Sequence, residues 1–575
     1  MKNYRKLILT GTGLLFVTAA MAQEQPKDST LNRTVVVENQ YNPEVMDAFK
    51  VNVLPKVEEP AVAKQHIDYA TSLYPLTSYV FEPMGVITRN VNQRGARRGY
   101  LRGAYGTLNN VDLKGAYLWN ISDRDQLDVM ASLYGHSGDV DYPGSEIDNK
   151  QRFFRTDVSL EYSHAFQKVK MNLGGSFGSQ VFNHFSTAKI FEDQIGAEVP
   201  DINLNQHFMM GEGHLGFASV AHELPLDFAF QVGFGGFKRM HPIGSMAEES
   251  LEKQAHTQGF VSGHLDDEQT VGVGFAMDNV FYSGGSSDEM DLDPELSEFK
   301  AMDNYTLVKM NPYYTLQRED LYIRLGAHVD FQTANGSGLK VAPDVNLTYT
   351  FADSYSLYAQ ALGGTKLNGY RQLNEISPYW HQDQQLSSTY TVFDAQAGFK
   401  ASPVAGLGLH LYGGYKMTKD DVFVNVLSSF DNYTYVSPLV QDKSKVAYVG
   451  AGIDYTFRDW FDLGIKGQYN NWEIDHEENI KYLILKPEFT VGVTARAKVF
   501  KGIHALADYT YENRNQVSGE RLDAVNNLKL GAEYNYLDRA GIFVHLNNLL
   551  NQTYFSETGY PELGFNIMAG ISVNF

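Results

Sequence analysis

The chain ends with Phe565-Asn-Ile-Met-Ala-Gly-Ile-Ser-Val-Asn-Phe575, in which apolar residues alternate with residues that, apart from Met568, are polar or small. Successive side chains of a β-strand point to opposite faces, so this strand has one apolar face and one mostly polar face. About eleven residues also suffice for a tilted strand to cross a membrane. The apolar face carries Phe565, Ile567, Ala569, Ile571, Val573 and Phe575. This pattern is typical of the closing strand of an outer-membrane barrel; the alternative is an edge strand of a soluble sandwich.

The same alternation recurs from Gly99 onward. Phe489, Val491 and Val493, for example, are separated by polar or small residues, a spacing that does not fit a helix. Short polar turns alternate with longer polar links along the chain, as expected for periplasmic turns and external loops, although the links near Thr107–Asn110 and Asn335–Leu339 are short too. The sequence therefore predicts an all-β, up-and-down antiparallel transmembrane barrel of about 22 strands, within a range of about 18 to 22.

The composition limits the functions that are open to this chain. Its 575 residues carry a formal net charge of -21 and include no cysteine. The lack of cysteine excludes disulfides, thiol catalysis and thiolate metal sites. The acidic balance argues against a nucleic-acid partner. The mean hydropathy of -0.31 excludes a polytopic helical membrane protein but not a barrel, because polar lumen residues offset the lipid-facing ones.

The N-terminal part differs from the predicted barrel. Residues 1–22 are predicted to be a signal peptide, because positive residues and an apolar run precede a small-x-small cleavage site that ends at Ala22. Residues 23–97 contain repeated prolines and no sustained period, which predicts a short irregular periplasmic or luminal arm. Residues 98–575 form the predicted barrel. An exported chain of this kind fits the outer membrane of a Gram-negative cell as an integral β-barrel.

Two segments resemble the TonB-dependent receptor family. Asn547-Asn-Leu-Leu-Asn-Gln-Thr-Tyr554 and Gly559-Tyr-Pro-Glu-Leu-Gly-Phe565 are similar to the family's ending, where the last two strands meet, although Phe565 replaces the usual Arg. The segment Thr34, Val35, Val36, Val37 and Glu38 is similar to the TonB box, which the energising protein pairs with as an added strand. The resemblance implies an outer-membrane receptor or transporter that takes up or binds a solute at the cell surface.

The family's plug domain is not recognisable in the short interval between residues 38 and 98. A barrel of about 22 strands has a wide lumen that needs a filler, for which the arm, inward loops or a separate protein are candidates. The alternative function is therefore a non-transporting scaffold for surface lipoproteins or outer-membrane assembly factors. Expected partners are outer-membrane lipid, lipopolysaccharide and the assembly machinery, with TonB or surface lipoproteins as further candidates.

Few residues suggest site chemistry. Tyr379, Trp380 and His381 lie in a predicted long link beside amides, where they could stack on an extracellular ligand, or equally anchor the barrel at the membrane interface. Gly174–Gly178 matches the G-x-S-x-G pattern but lies inside a predicted strand with no helix following, so a nucleophile elbow is not expected. The sequence predicts no enzyme, no catalytic or metal site and no cofactor.

The alternation also predicts where charged and tryptophan side chains point. Trp119 and Trp460 lie beside short turns, whereas Trp380 and Trp472 lie near longer links, which predicts two aromatic belts. A lipid face does not accommodate charges, so charged residues on the predicted strands should face the lumen. These are Lys466, Lys486, Glu488, Arg496, Asp508, Glu512, Lys529 and Glu533.

Overall fold

A computed structural model describes residues 98–140, 149–185, 204–220, 224–241, 250–283, 302–336, 338–352, 354–380, 384–424, 429–431, 434–436, 439–516, 522–537, 539–557 and 560–575. The predicted signal peptide, the arm with Thr34–Glu38, and His381 lie outside these residues. Within the described ranges, no helix has the length and apolar character needed to cross a membrane.

The described residues form a closed antiparallel sheet of 22 strands. The strands are β1 Gly99–Gly106, β2 Val111–Asn120, β3 Asp125–Val140, β4 Asn149–Ala165, β5 Val169–Asn183, β6 Asn205–Ser219, β7 Leu226–Arg239, β8 Ser250–His264, β9 Gln269–Ser283, β10 Tyr305–Gln317, β11 Leu321–Gln332, β12 Gly338–Phe351, β13 Tyr355–Lys366, β14 Thr389–Val404, β15 Leu407–Val424, β16 Leu439–Phe457, β17 Phe461–Ile474, β18 Pro487–Phe500, β19 Ile503–Arg514, β20 Val525–Tyr536, β21 Ala540–Asn547 and β22 Asn566–Asn574. Each strand pairs with the next, and β22 pairs with β1. The predicted up-and-down barrel and its strand number are confirmed.

The described parts of the links between strands contain little further regular structure. Helix α1 spans Tyr370–Ile376, and short 3-10 segments span Thr107–Asn109 and Glu477–Leu485. Two small ladders pair Ser429–Asp431 with Thr434–Val436 and Phe555–Glu557 with Tyr560–Pro561. Every link at the end where β1 begins and β22 ends has six residues or fewer, whereas the long links lie at the opposite end, which also has two short links, 107–110 and 333–337. The end with only short links is therefore the periplasmic one, and the longer links surround the outer mouth.

The two faces of the wall differ as the alternation predicts. Leu173, Phe177 and Leu411 are large apolar residues that point outward and are not covered by protein. On β22 the same holds for Ile567, Ile571 and Val573 of the predicted closing strand. Apolar side chains on the outside match the hydrocarbon of a lipid bilayer, and the strands satisfy one another's backbone groups around the closed ring.

The last residue seals the barrel at its periplasmic rim. The Phe575 amide donates a hydrogen bond to the Gly99 carbonyl at 2.9 Å, and the Gly99 amide donates to the Phe575 carbonyl at 2.8 Å. The Phe575 ring occupies the space over Gly99, where any side chain would collide with it, and stacks near Tyr117 at 6.0 Å between ring centroids. The C-terminal aromatic therefore packs across the junction of the first and last strands.

Six of the eight charged residues predicted to face the lumen do so by strand register. Their cross-strand neighbours are other inward residues; Lys529, for example, pairs with Asp508. The six are Lys466, Arg496, Asp508, Glu512, Lys529 and Glu533. Glu488 lies at a β-bulge, and Lys486 precedes its strand. The Lys486 ammonium lies 4.9 Å from the Phe423 ring centroid, and burial lowers the pKa of this amine.

Candidate functional site

A link from one side of the barrel crosses the outer mouth to the other. The inner link, defined here as residues 367–380, joins β13 to β14 through the described part of that connection and contains α1. Strands spaced about 4.8 Å apart and tilted by about 40° give a 22-strand barrel a diameter of about 44 Å between opposite backbones. A barrel of this width leaves room for such a link, and the contacts of α1 show where it lies.

The base of α1 is held by carboxylates on the far wall. Glu252 of β8 is 3% exposed, and its carboxylate accepts the Tyr370 amide at 2.6 Å. The Arg371 guanidinium donates to the Glu212 carboxylate of β6, also at 2.6 Å. Strands β9 to β12 separate β8 from β13 in the sheet, so these contacts reach across the lumen rather than along the wall. They fix the helix beneath the outer mouth.

The other end of α1 makes two further polar contacts. Asn374 donates to the Gln180 side chain of β5 at 3.2 Å. Glu375 lies 3.3 Å from the Arg155 guanidinium of β4, and both side chains are partly exposed to solvent. Because exposed ion pairs contribute only about 0–1 kcal/mol each, the polar contacts orient the helix more than they stabilise it.

A second link enters the mouth from the closing strands. The seam link, defined here as residues 548–565, joins β21 to β22 and brings Tyr560 over the lumen. Tyr560 stacks on Tyr379 of the inner link with ring centroids 3.3 Å apart. Its hydroxyl also lies 2.9 Å from Nδ1 of His184, which follows β5. The two links and the end of β5 start from well-separated points of the ring, so their meeting point lies over the lumen.

An apolar cluster fills the mouth where these segments meet. Trp380 is fully buried at its centre, and its ring centroid lies 5.2 Å from that of Tyr370. The buried residues of the cluster are Val140, Phe182, Phe185, Phe208, Met210, Phe237, Met302, Tyr370, Leu373, Tyr379, Trp380, Leu386, Val422, Leu439 and Tyr560. Burial of this many large side chains on the lumen side closes the outer mouth with a small hydrophobic core.

The structure places the predicted aromatic ligand contacts inside this cluster. Tyr379 is 5% exposed and Trp380 is fully buried, so neither ring is presented at the surface in this conformation. Contact of these residues with an extracellular ligand stays a prediction. The two-belt expectation is wrong for half of the tryptophans: Trp119 and Trp460 are exposed on the outside, but Trp380 and Trp472 pack inside the mouth.

Below the mouth, glycines on the inner wall let side chains of alternate strands meet. The Tyr358 hydroxyl of β13 lies 2.8 Å from Nε2 of His410 on β15, over Gly398 of the intervening β14. The same arrangement recurs with Tyr448 and Asp394 over Gly414, Tyr412 and Gln468 over Gly450, His214 and Glu161 over Gly174, and Asn311 and Asp344 over Gly326. We call these skip-strand contacts, because each passes over a glycine of the intervening strand. They stabilise the wall on its lumen side.

We predict that Gly398→Ala destabilises the barrel by about 1–3 kcal/mol, because its Cβ would lie 2.5 Å from the Tyr358 ring and displace it from His410. Gly492→Ala is the matched control, since no atom lies within 4 Å of its added Cβ. Urea unfolding in detergent micelles checks both variants. Equal losses for the two would assign the effect to strand propensity instead of the displaced ring.

Apart from Tyr379 and Trp380, sequence reasoning missed the residues that close the mouth. Glu212 and Glu252 are charged residues on strands, so their inward direction could have been predicted, but their partners on α1 are distant in sequence. Tyr560 lies in the receptor-like ending and gave no separate signal. Among the described residues, no group of three or more His, Asp or Glu side chains is placed to hold a metal ion.

No family model matches the chain. No curated protein matches it either. Solved structures do match. A variant of the ferric enterobactin receptor PfeA from Pseudomonas aeruginosa, in complex with enterobactin, is 12% identical with a TM-score of 0.61, over 84% of this chain and 82% of that one.

Two other receptors from Pseudomonas aeruginosa are similar to the same extent. FpvA bound to a heterologous ferric pyoverdine is 12% identical with a TM-score of 0.59, over 83% of this chain and 72% of that one. The siderophore receptor PirA is 11% identical with a TM-score of 0.58, over 84% and 82%. The chain has the barrel fold of the TonB-dependent receptors. A closed barrel of this fold fits an integral position in the outer membrane. Its structural neighbours are receptors.

Proposed function

We propose that this receptor-type barrel binds or takes up a solute at the cell surface and that its outer mouth opens when the inner link moves. The observation that carries the proposal is the meeting of two inward links, through Tyr379 and Tyr560, over a lumen lined with polar side chains. A wall with an oily outside and a polar inside is suited to the passage of a hydrophilic solute.

The contacts that hold the inner link are compatible with movement. No disulfide ties the inner link to the wall, because the chain has no cysteine. The Arg371 and Glu212 side chains, which form the ion pair at the base of α1, are 38% and 24% exposed, so water already reaches them. A solute that binds the open mouth better than the closed one would shift the equilibrium toward opening by that difference in affinity.

The test locks the inner link to the wall. In the double variant Arg371→Cys with Glu212→Cys, a short bismaleimide should join the two sites, and the cysteine-free chain offers no competing thiol. Solute uptake into liposomes should fall after cross-linking and should be unaffected by the reagent in either single variant. Uptake that is insensitive to the cross-link would contradict opening through the inner link, and absence of any solute uptake or binding would contradict the proposed function.

The closed mouth also favours a second function, that of a non-transporting scaffold for surface lipoproteins or outer-membrane assembly factors. A lumen sealed by a buried core fits a barrel that functions by binding partner proteins on its outer surface. A stable, stoichiometric partner retained through purification from native membranes, together with no solute uptake, would favour the scaffold. The role of Thr34–Glu38 in contact with TonB is part of the transport proposal, and its deletion should abolish energised uptake only.

A further inference from the structure

A recess in the inner wall lies where glycines are left uncovered. Gly174, Gly326 and Gly398 are each overlain by a skip-strand contact, whereas Gly216 and Gly274 have no side-chain atom closer than 3.5 Å to an added Cβ. Cross-strand pairing places these two open glycines in a patch of small inward residues. The floor of the recess consists of Gly216, Ala218, Ala229, Gly274 and Ala276.

The recess has the size of a small-molecule site. Its volume is about 440 Å³, within the range of about 300–1,000 Å³ that is usual for ligand pockets. Strands β4 to β11 contribute its lining, so the recess is part of the rigid barrel wall and not of a loop. The inward polar residues of its rim are Asn172, His214, Gln231, Gln258, Asn311 and His328.

The rim offers hydrogen-bond acceptors that the protein does not use. Oδ1 of Asn172 and Oδ1 of Asn311 are buried with no hydrogen-bond partner among the described residues. The Asn311 amide nitrogen is engaged, because it donates to Asp344 at 3.0 Å. A buried carbonyl oxygen without a donor destabilises the protein, so a ligand that supplies hydroxyl or amide hydrogens would remove this destabilisation.

The charges around the recess nearly cancel. Glu161 is paired with His214 at 3.0 Å. Among the described residues that line the recess, Lys309 is the only lysine or arginine and Glu161 the only carboxylate, so their formal charges cancel. The inward ring of Phe260 is 37% exposed and adds an apolar surface to the amide rim. A neutral ligand with many hydroxyl groups and an apolar face matches this lining better than an ion does.

We infer that this recess binds a neutral polyhydroxylated solute, such as a saccharide or a polyol, inside the lumen. The inference rests on the proposed function for its biological role, since it names the class of solute that the barrel would carry. The amides of Gln231 and Gln258 hydrogen-bond the hydroxyls, and the open glycines admit the ring close to the backbone.

The test measures binding of sucrose, trehalose and sorbitol to the purified full chain in detergent by isothermal titration calorimetry. The double variant Gln231→Ala with Gln258→Ala should weaken binding by about tenfold or more, since two hydrogen bonds are lost. Ala276→Trp, which fills the floor, should abolish binding. Gln360→Ala is the matched control, because this inward amide bonds Gln396 at 2.8 Å outside the recess, and it should leave binding unchanged.

As a control for whether the solutes can reach the lumen, the titration is repeated in the Arg371→Ala background, in which the inner link is held less tightly. Failure of all three solutes to bind in both backgrounds would overturn the inference, as would binding that survives Ala276→Trp. Binding of sodium gluconate or phosphate alone would also overturn it, in favour of an anion site at Lys309. Because binding in detergent needs no transport, saccharide binding without liposome uptake would keep this inference and reject the transport proposal.

Discussion

Planar bilayers that contain the protein with residues 369–380 replaced by a flexible Gly-Ser segment of equal length should show steady ionic conductance, whereas the native protein should show little. The replaced residues include Tyr370, Leu373, Tyr379 and Trp380, which fill the mouth. Barrels of 16–18 strands already leave an aqueous channel when nothing blocks them, so this wider barrel should conduct strongly once its core is removed.

The control replaces Glu477–Leu485 in the same way. This 3-10 segment packs on the outer ends of β15 and β17 through its own apolar cluster, without bridging the mouth. Its replacement should leave conductance near the native level. High conductance of the native protein, or equal conductance of the two variants, would contradict closure by the inner link. A heat-modifiable shift in gel mobility, measured for each variant, verifies that the barrel itself has folded.

Trp380→Ala should lower the free energy of unfolding by about 3–5 kcal/mol, the usual loss when a large buried aromatic residue is truncated in a packed core. Trp380 is fully buried and lies against Tyr370, so the cavity cannot be filled without shifting α1. Urea unfolding of the purified protein in detergent micelles measures this loss. The variant should also raise conductance, because the same cluster closes the mouth.

Two tryptophan variants serve as controls. Trp380→Phe should retain most of the stability, since it keeps an aromatic ring and removes an indole N–H that has no hydrogen-bond partner among the described residues. Trp119→Ala should cost less than Trp380→Ala, because the Trp119 ring is 51% exposed on the outer face. A loss at Trp119 as large as that at Trp380 would show that anchoring at the membrane outweighs packing in the mouth.

The barrel could be predicted from the sequence because its rule is local. A strand in a lipid bilayer must satisfy its backbone through its neighbours and turn every second side chain to hydrocarbon. The alternation around Phe489 and in the Phe565–Phe575 stretch therefore predicts that each segment is a strand, and it also predicts which face of that strand points to the lipid. The strand number followed from counting such segments, and the inward direction of charges such as Asp508 and Lys529 followed from the same period.

The closed mouth could not be predicted, because its contacts join segments with no local relation. Tyr379 and Tyr560 are far apart in the chain. The sequence of a polar link with aromatic residues does not indicate whether the link extends into solvent or folds inward. The recess could not be predicted from the sequence for the same reason. Gly174 and Gly216 look alike in sequence, and only the side chains that the neighbouring strands bring over them make one covered and the other open.

The sequence by itself determined a closed, membrane-spanning ring of two-faced strands, since lipid imposes that pattern on every strand separately. Only the tertiary structure decided what lies inside the ring. A barrel about 44 Å wide between opposite backbones leaves its links free to point either way. Residues from distant strands together decide whether a link faces water or joins the apolar core around Trp380.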